Sequence, residues 1–233
     1  MTVPQEAGRV GIELSELEFG EETYEGRLNV PEGDAESDVG VVMVPGAGHG
    51  PFGNIFDIVA YELAGTGAHV FRYESWESID GLEAKTFEEL HREVDTAVER
   101  LQDEGCSEIH LIAKSFGGGI ALTHVPDAVE RVVLWAPAVE LVEGSVEHDS
   151  DERVDDSEDL PIAVGTDDLE AVDVPVRILV GDEDRGVSAE DCESVATAVE
   201  DGDVTVIPGE THSFNGNRTA IVAETLDALD RDR

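Results

Sequence analysis

Three short segments of this sequence carry residue types that can do chemistry together. The first is Ala113-Lys114-Ser115-Phe116-Gly117-Gly118-Gly119, a serine among small residues directly after the apolar run Ile109–Ala113. The second is Gly181-Asp182-Glu183-Asp184-Arg185-Gly186-Val187, after the apolar run Val176–Val180. The third is Pro208-Gly209-Glu210-Thr211-His212-Ser213-Phe214, after the run Val204–Pro208. A serine hydroxyl becomes a useful nucleophile when a neighbouring base takes its proton. Histidine can be that base, and a carboxylate can hold the imidazole in the required tautomer. Each residue alone has a plainer reading. Ser115 could simply cap a helix, a lone aspartate at a strand end is usually solvated, and a lone histidine is usually structural.

The elements that must position these residues are legible in the hydrophobic pattern. Val10–Phe19 and Tyr24–Pro31 alternate as an opening pair of antiparallel strands. Val39–Val44 is a continuous apolar run ending in Pro-Gly, the pattern of a strand buried on both faces. Asn54–Leu63 repeats its apolar residues at helical spacing, His69–Tyr73 is a strand, and Thr86–Gln102 is a long amphipathic helix. Thr86 and Glu89 form a capping box at the start of that helix. Strands follow at Glu108–Ala113, Val129–Trp135, Val176–Val180 and Val204–Pro208. Helices follow at about Phe116–Thr123, at Ser188–Val199 with Ser188 as its cap, and at Arg218–Asp230. Alternating strands and helices predict an α/β fold with a mostly parallel sheet of about seven to eight strands. In such a sheet the carboxyl ends of the parallel strands share one edge, so Ser115, Asp184 and His212 are predicted to meet there.

Length and composition narrow the classes further. The chain has 233 residues, read as a single domain with a short, irregular acidic insertion over 138–172, too short and polar for a substantial lid. No apolar run approaches the ~20 residues of a membrane helix, and the first residues show no secretory pattern. Two cysteines, Cys106 and Cys192, form neither a disulfide framework nor a metal motif. There are 55 acidic residues against 14 basic ones, for a formal net charge of −41. Such a field repels nucleic acid and anionic membranes, which argues against both as partners. Only Lys85 and Lys114 are lysines, a composition that resembles the cytoplasmic proteins of salt-in halophilic archaea. A cytoplasmic location is expected on that ground.

Around Ser115, Asp184 and His212 the sequence resembles the α/β-hydrolase superfamily. The carriers are AKSFGG, GDEDRGV and ETHSF, together with VPGAGHG after Val39–Val44, where that family has its oxyanion loop. The resemblance runs from about Val39 to the C-terminus, and the opening strand pair also fits. It implies an α/β-hydrolase fold with Ser115 as nucleophile, His212 as general base and Asp184 as acid. The pattern Gly-x-x-Asp-x-x-Val falls on Gly181, Asp184 and Val187, with Asp182 as the competing acid. It also implies an oxyanion hole made by the backbone amides of Ala47 and Phe116. Two residues depart from the pattern: Ala113 replaces the elbow's first glycine, and Pro45 stands where many relatives carry histidine. The implied activity is hydrolysis of an ester-like bond in a small molecule, with no cofactor and no metal. The lidless architecture is similar to that of dienelactone hydrolases.

Three other readings compete. Gly48, Gly50 and Gly53 spell GxGxxG after a strand, with Glu74 placed to meet a ribose, the fingerprint of a nicotinamide-dependent oxidoreductase. A non-catalytic binding protein of the same fold is the second. The third is a calcium loop in His148–Asp159, HDSDERVDDSED, which lacks the glycine and distal glutamate of an EF-hand loop and reads better as a solvated segment.

Overall fold

The opening strands β1 (Gly11–Phe19) and β2 (Tyr24–Glu32) pair antiparallel, with Gly11 opposite Glu32 and Phe19 opposite Tyr24. The structure is a computed structural model and describes residues 11–19, 24–32, 37–48, 50–74, 76, 78–148, 153–154 and 161–230. The chain continues through β3 (Val39–Val44), α1 (Asn54–Thr66), β4 (His69–Glu74), α2 (Ile79–Glu83) and α3 (Phe87–Asp103). Next come β5 (Glu108–Lys114), α4 (Phe116–Thr123) and β6 (Val129–Trp135). After β7 (Val139–Val142), β8 (Ile162–Gly165) and α5 (Thr166–Glu170), it closes with β9 (Val176–Gly181), α6 (Ala189–Ala198), β10 (Gly202–Ile207) and α7 (Arg218–Asp230).

Eight strands form one sheet in the order β1-β2-β4-β3-β5-β6-β9-β10, parallel from β4 to β10. The chain steps from β3 to β4 in one direction and from β4 to β5 in the other. Because crossovers between parallel strands are right-handed, this reversal puts α1 on one face of the sheet and α3, α4 and α6 on the other. α7 returns to pack beside α1. Both faces are therefore covered, which is why β3, β5, β6 and β9 are mostly buried and their central residues mostly apolar. The reversal also opens a crevice between the carboxyl ends of β3 and β5, where open α/β sheets bind ligands.

Local sequence sets the helix ends. The Thr86 hydroxyl accepts from the Glu89 amide, and the Glu89 carboxylate accepts from the Thr86 amide, so both halves of the capping box are made. Ser188 caps α6 by accepting from the Asp191 amide. On α3, Leu90, Val94, Ala97, Val98 and Leu101 are buried against the sheet. Glu93 is the charged exception on that face and is paired with Lys85.

The stretch between β6 and β9 is more regular than its composition suggests. β7 and β8 form a separate two-stranded parallel sheet, and α5 follows directly. The segment also reaches across to α3: the Val154 amide donates to the Lys85 carbonyl, and Arg153 bridges to Thr86. Of the suggested calcium loop, residues 149–152 and 155–159 lie outside the described residues.

Candidate active site

Ser115 stands between β5 and α4 with φ 54° and ψ −121°, a left-handed conformation that costs energy for any residue other than glycine. The surrounding structure holds it there. Its amide donates to the Trp135 carbonyl at 2.9 Å, and its carbonyl accepts from Gly118 at 2.9 Å and Ala138 at 3.0 Å. The turn is tight: a Cβ on Gly117 would come within 2.3 Å of the Pro45 carbonyl oxygen. The strand-to-helix turn is thus a sharp elbow, which lifts the serine clear of the sheet.

Asp184 and His212 lie on the turns after β9 and β10, the next parallel strands along the same edge. The structure joins the three predicted residues into one chain of hydrogen bonds. His212 Nδ1 meets Asp184 Oδ2 at 2.9 Å, and His212 Nε2 meets Ser115 Oγ at 2.9 Å. A carboxylate only accepts, so Nδ1 carries the proton and Nε2 offers its lone pair to the serine hydroxyl. The Asp184 side chain is fully buried and its second oxygen accepts from the Gly186 and Val187 amides, at 2.8 and 3.0 Å. Asp182 is exposed and serves another partner, accepting from the Gly209 amide at 2.6 Å.

Two charged residues that spacing alone does not single out complete this region. Glu210 is buried, and its carboxylate accepts from the amides of Thr211, Asn215, Gly216 and Asn217 at 2.6–3.1 Å. The histidine loop is thus wound around an internal anion. Burial raises the Glu210 pKa, but the four amide bonds outweigh it and hold the carboxyl below its ordinary value. Lys114 precedes the serine and lies 5.7 Å from the centre of the Phe214 ring. Burial pushes its ammonium below the usual lysine value, with the negative charge of Asp184 opposing.

The two backbone amides expected to face an oxyanion are those of Phe116, directly after Ser115, and Ala47. Phe116 is the first residue of α4, so its N–H has no acceptor within the helix. Ala47 lies in the turn after Gly46, and a Cβ on Gly46 would stand 3.1 Å from Ser115 Cβ. Phe56, Trp76 and Phe116 are buried: Phe56 tilts against Trp135 and Trp76 meets Phe116 edge-on, while Phe52 is half-buried beneath Arg27. A groove of about 570 Å³ runs beside the elbow and the acid loop, lined by Pro137, Ala138, Val139, Leu141, Val187 and Val195. Another cavity, about 870 Å³, lies away from these residues and is lined in part by His91, Thr123, His148 and Asp168.

The dinucleotide reading fails on the fold. Its sheet order and antiparallel edge differ from a doubly wound nucleotide-binding sheet. The loop with Gly48, Gly50 and Gly53 folds back on the sheet, and the Glu74 carboxylate packs against Gly50. His49 lies outside the described residues. Among the described residues no group of three or more His, Cys, Asp or Glu is placed to hold a metal ion. Cys106 and Cys192 are both buried, and neither is in a disulfide. No helix among the described residues is long and apolar enough to cross a membrane.

Sheet order, elbow and the carboxyl-edge cluster together define the α/β-hydrolase fold. Solved structures similar to this chain carry the same fold. A dienelactone hydrolase from Anabaena variabilis aligns at a TM-score of 0.70 and 18% identity, covering 96% of this chain and 98% of its own. A cold-adapted esterase from an Arctic intertidal metagenomic library aligns at 0.67 and 21%, covering 97% and 96%. A Xanthomonas campestris protein described as an α/β serine hydrolase without lid aligns at 0.68 and 14%, covering 98% and 97%. No protein-family model matches the sequence, and no curated protein matches it.

Proposed function

We propose that this protein is a serine hydrolase that cleaves an ester-like bond of a small molecule through an acyl-enzyme on Ser115. The observation that carries the reading is the continuous hydrogen-bonded chain from Ser115 Oγ through His212 to Asp184, with both contacts at 2.9 Å. Neighbours of the same fold named as an esterase, a dienelactone hydrolase and a serine hydrolase support it.

In the proposed reaction, His212 Nε2 takes the Ser115 proton as Oγ attacks the carbonyl carbon. The negative charge that develops on the carbonyl oxygen is met by the Ala47 and Phe116 amides, helped by the amino end of α4. His212 then gives its proton to the leaving group, the carbonyl reforms, and the acyl-enzyme remains. Water repeats the cycle: His212 takes a proton from it, and the acid and free serine are released. The groove at 137–141 and 187 offers apolar side chains to an uncharged acyl chain, and Glu140 and Asp191 also line it. Asp182 and Glu183, beside His212, disfavour an anionic one. The acidic, lysine-poor composition supports a salt-rich cytoplasm as the working medium.

The test is fluorophosphonate labelling in molar salt together with turnover of p-nitrophenyl esters of graded chain length. Wild type is expected to label at Ser115 and turn over neutral esters. Ser115→Ala is expected to stay folded and to lose on the order of 10⁴–10⁶ in kcat. Folded wild type that neither labels nor turns over any ester would leave a binding protein of this fold as the answer.

A further inference from the structure

Arg72 is fully buried on β4, among the buried residues His69, Val70, Phe71 and Tyr73 of the same strand. Burying a guanidinium is costly unless its donors are used, so its partners indicate what it is for. Nη2 donates to Asn29 Oδ1 on β2 at 2.9 Å, and Nη1 donates to the Asp57 carboxylate on α1. Nη1 also donates to the Pro51 carbonyl at 3.1 Å. The next residue, Phe52, has the Arg27 guanidinium 4.1 Å from its ring centre and that of Arg72 at 6.0 Å.

Pro51 and Phe52 end the loop between β3 and α1, residues 45–53. Four of its nine residues are glycine, at 46, 48, 50 and 53, so its free chain has much conformational freedom to lose. The loop is held at two places. At its start, Pro45 and Gly46 press against Gly117 and Ser115. Near its end, Gly50 rests on the Glu74 carboxylate, Pro51 is hydrogen-bonded to Arg72, and Phe52 lies under the two arginines. Ala47 lies between these two anchors, partly buried against the core.

We propose that Arg72 is a positioning residue for catalysis: by gripping Pro51 and Phe52 it keeps the Ala47 amide aimed at the oxyanion. This rests on the hydrolase reading above. The pair with Asp57 docks α1 and accounts for a structural role. The bond to Pro51 and the contact with Phe52 reach the loop and are not needed for that role. A displacement of about 1 Å in a reacting geometry can cost ~10²-fold, and a lost oxyanion donor ~10²–10³-fold. Loosening the anchor is therefore expected to cost about 10–100-fold in kcat.

Arg72→Lys keeps the charge but cannot hold three acceptors with a planar fork. Phe52→Leu removes the half-buried ring without burying an unpaired charge. Asp57→Asn weakens the α1 pair and leaves the loop contact. For each, kcat, KM, the affinity of a trifluoromethyl ketone (which forms a tetrahedral oxyanion adduct with serine) and the melting temperature are measured in molar salt. Arg72→Lys and Phe52→Leu are expected to lose kcat and inhibitor affinity in parallel, with KM within about threefold. Asp57→Asn is expected to lower the melting temperature with kcat within about twofold. If Arg72→Lys does not fold, Phe52→Leu carries the test alone. Folded Arg72→Lys or Phe52→Leu with wild-type kcat and inhibitor affinity would overturn the proposal while leaving the hydrolase reading intact. Wild type without turnover or labelling would remove both.

Discussion

Replacing Glu210 by glutamine changes almost no volume but reverses the polarity of one arm of an internal anchor. In the wild type, Oε1 accepts from Thr211, Asn215 and Gly216, and Oε2 accepts from Asn217. Glutamine has one acceptor oxygen. If that oxygen takes the three-amide position, the side-chain NH2 faces the Asn217 N–H and that donor is orphaned. Bonds to a charged acceptor contribute ~1.5–3 kcal/mol each and neutral ones ~0.5–1.5, so three weakened bonds lose about 3 kcal/mol together. The orphaned donor adds ~1–3 kcal/mol. Relaxation of the loop toward water recovers part of this, leaving roughly 2–3 kcal/mol against the closed loop. At ~1.4 kcal/mol per tenfold, kcat/KM should fall about 30–150-fold. The melting temperature should drop by roughly 5–10 °C for a chain of this size.

The assay pairs ester turnover with hydrogen exchange at the amides of Thr211, Asn215, Gly216 and Asn217. A pH series adds a second readout. Glu210 has a folded pKa below its unfolded value of about 4.3. Its contribution is therefore complete above that unfolded value and is lost as pH falls through the folded one. The stability gap between wild type and variant should close in acid. A variant with wild-type turnover and unchanged exchange at those four amides would refute the reasoning.

Asp184→Asn should cost on the order of 10³–10⁴ in kcat by favouring the wrong His212 tautomer, while Asp182→Asn, whose carboxylate meets Gly209, should cost far less; reversed effects would exchange the two acids. His91 is pushed down to about 4 by burial and by the neighbouring His124 and His148, and its Nε2 meets Thr123 Oγ1 at 2.9 Å. The unfolded chain takes up this proton first, so stability should fall as pH drops from about 6.5 toward about 4, in a window absent from His91→Gln. Parallel melting curves for the two proteins would contradict this. Finally, a surface at −41 should need screening: the Debye length shrinks to ~3 Å at 1 M salt, and the melting temperature should rise steeply from about 0.1 to 2 M KCl. A flat melting temperature across that series would remove the halophilic interpretation.

What was legible in the sequence follows from the range over which each feature is determined. The run at Val39–Val44, the Thr86–Glu89 box and the Ser188 cap are local patterns, and the structure has each of them. α2, α5, β7 and β8 were not legible, because elements of four or five residues cannot display a period. β7 and β8 exist by pairing with each other across the intervening segment. Likewise, Ser115, His212 and Asp184 could be found because each follows an apolar strand run and parallel strands share an edge. Glu210 could not: in a chain with 55 acidic residues it looks like one more surface charge. Arg72 was equally hidden, since its partner Asn29 is 43 positions away.

Several of the few cations are withdrawn from the surface and do not act as counter-charge there. Both lysines are withdrawn: Lys85 is buried between Glu93 and Tyr24, and Lys114 is half-buried near Phe214 and Asp184. Arg72 and Arg131 are buried as well. The buried cations are roughly matched by the buried anions Glu93, Glu210 and Asp184, so the chain's net negative charge lies almost wholly on the exterior, and ions from solvent must do the screening that side chains do elsewhere. Inside, away from bulk water, the same charges interact strongly and are screened little by salt. Arg72 grips the β3–α1 loop and Glu210 gathers the histidine loop, one internal cation and one internal anion. The salt sensitivity of this protein should therefore be a property of its exterior. At salt concentrations where the chain is folded, the Ser115, His212 and Asp184 geometry is held by contacts that further salt barely reaches.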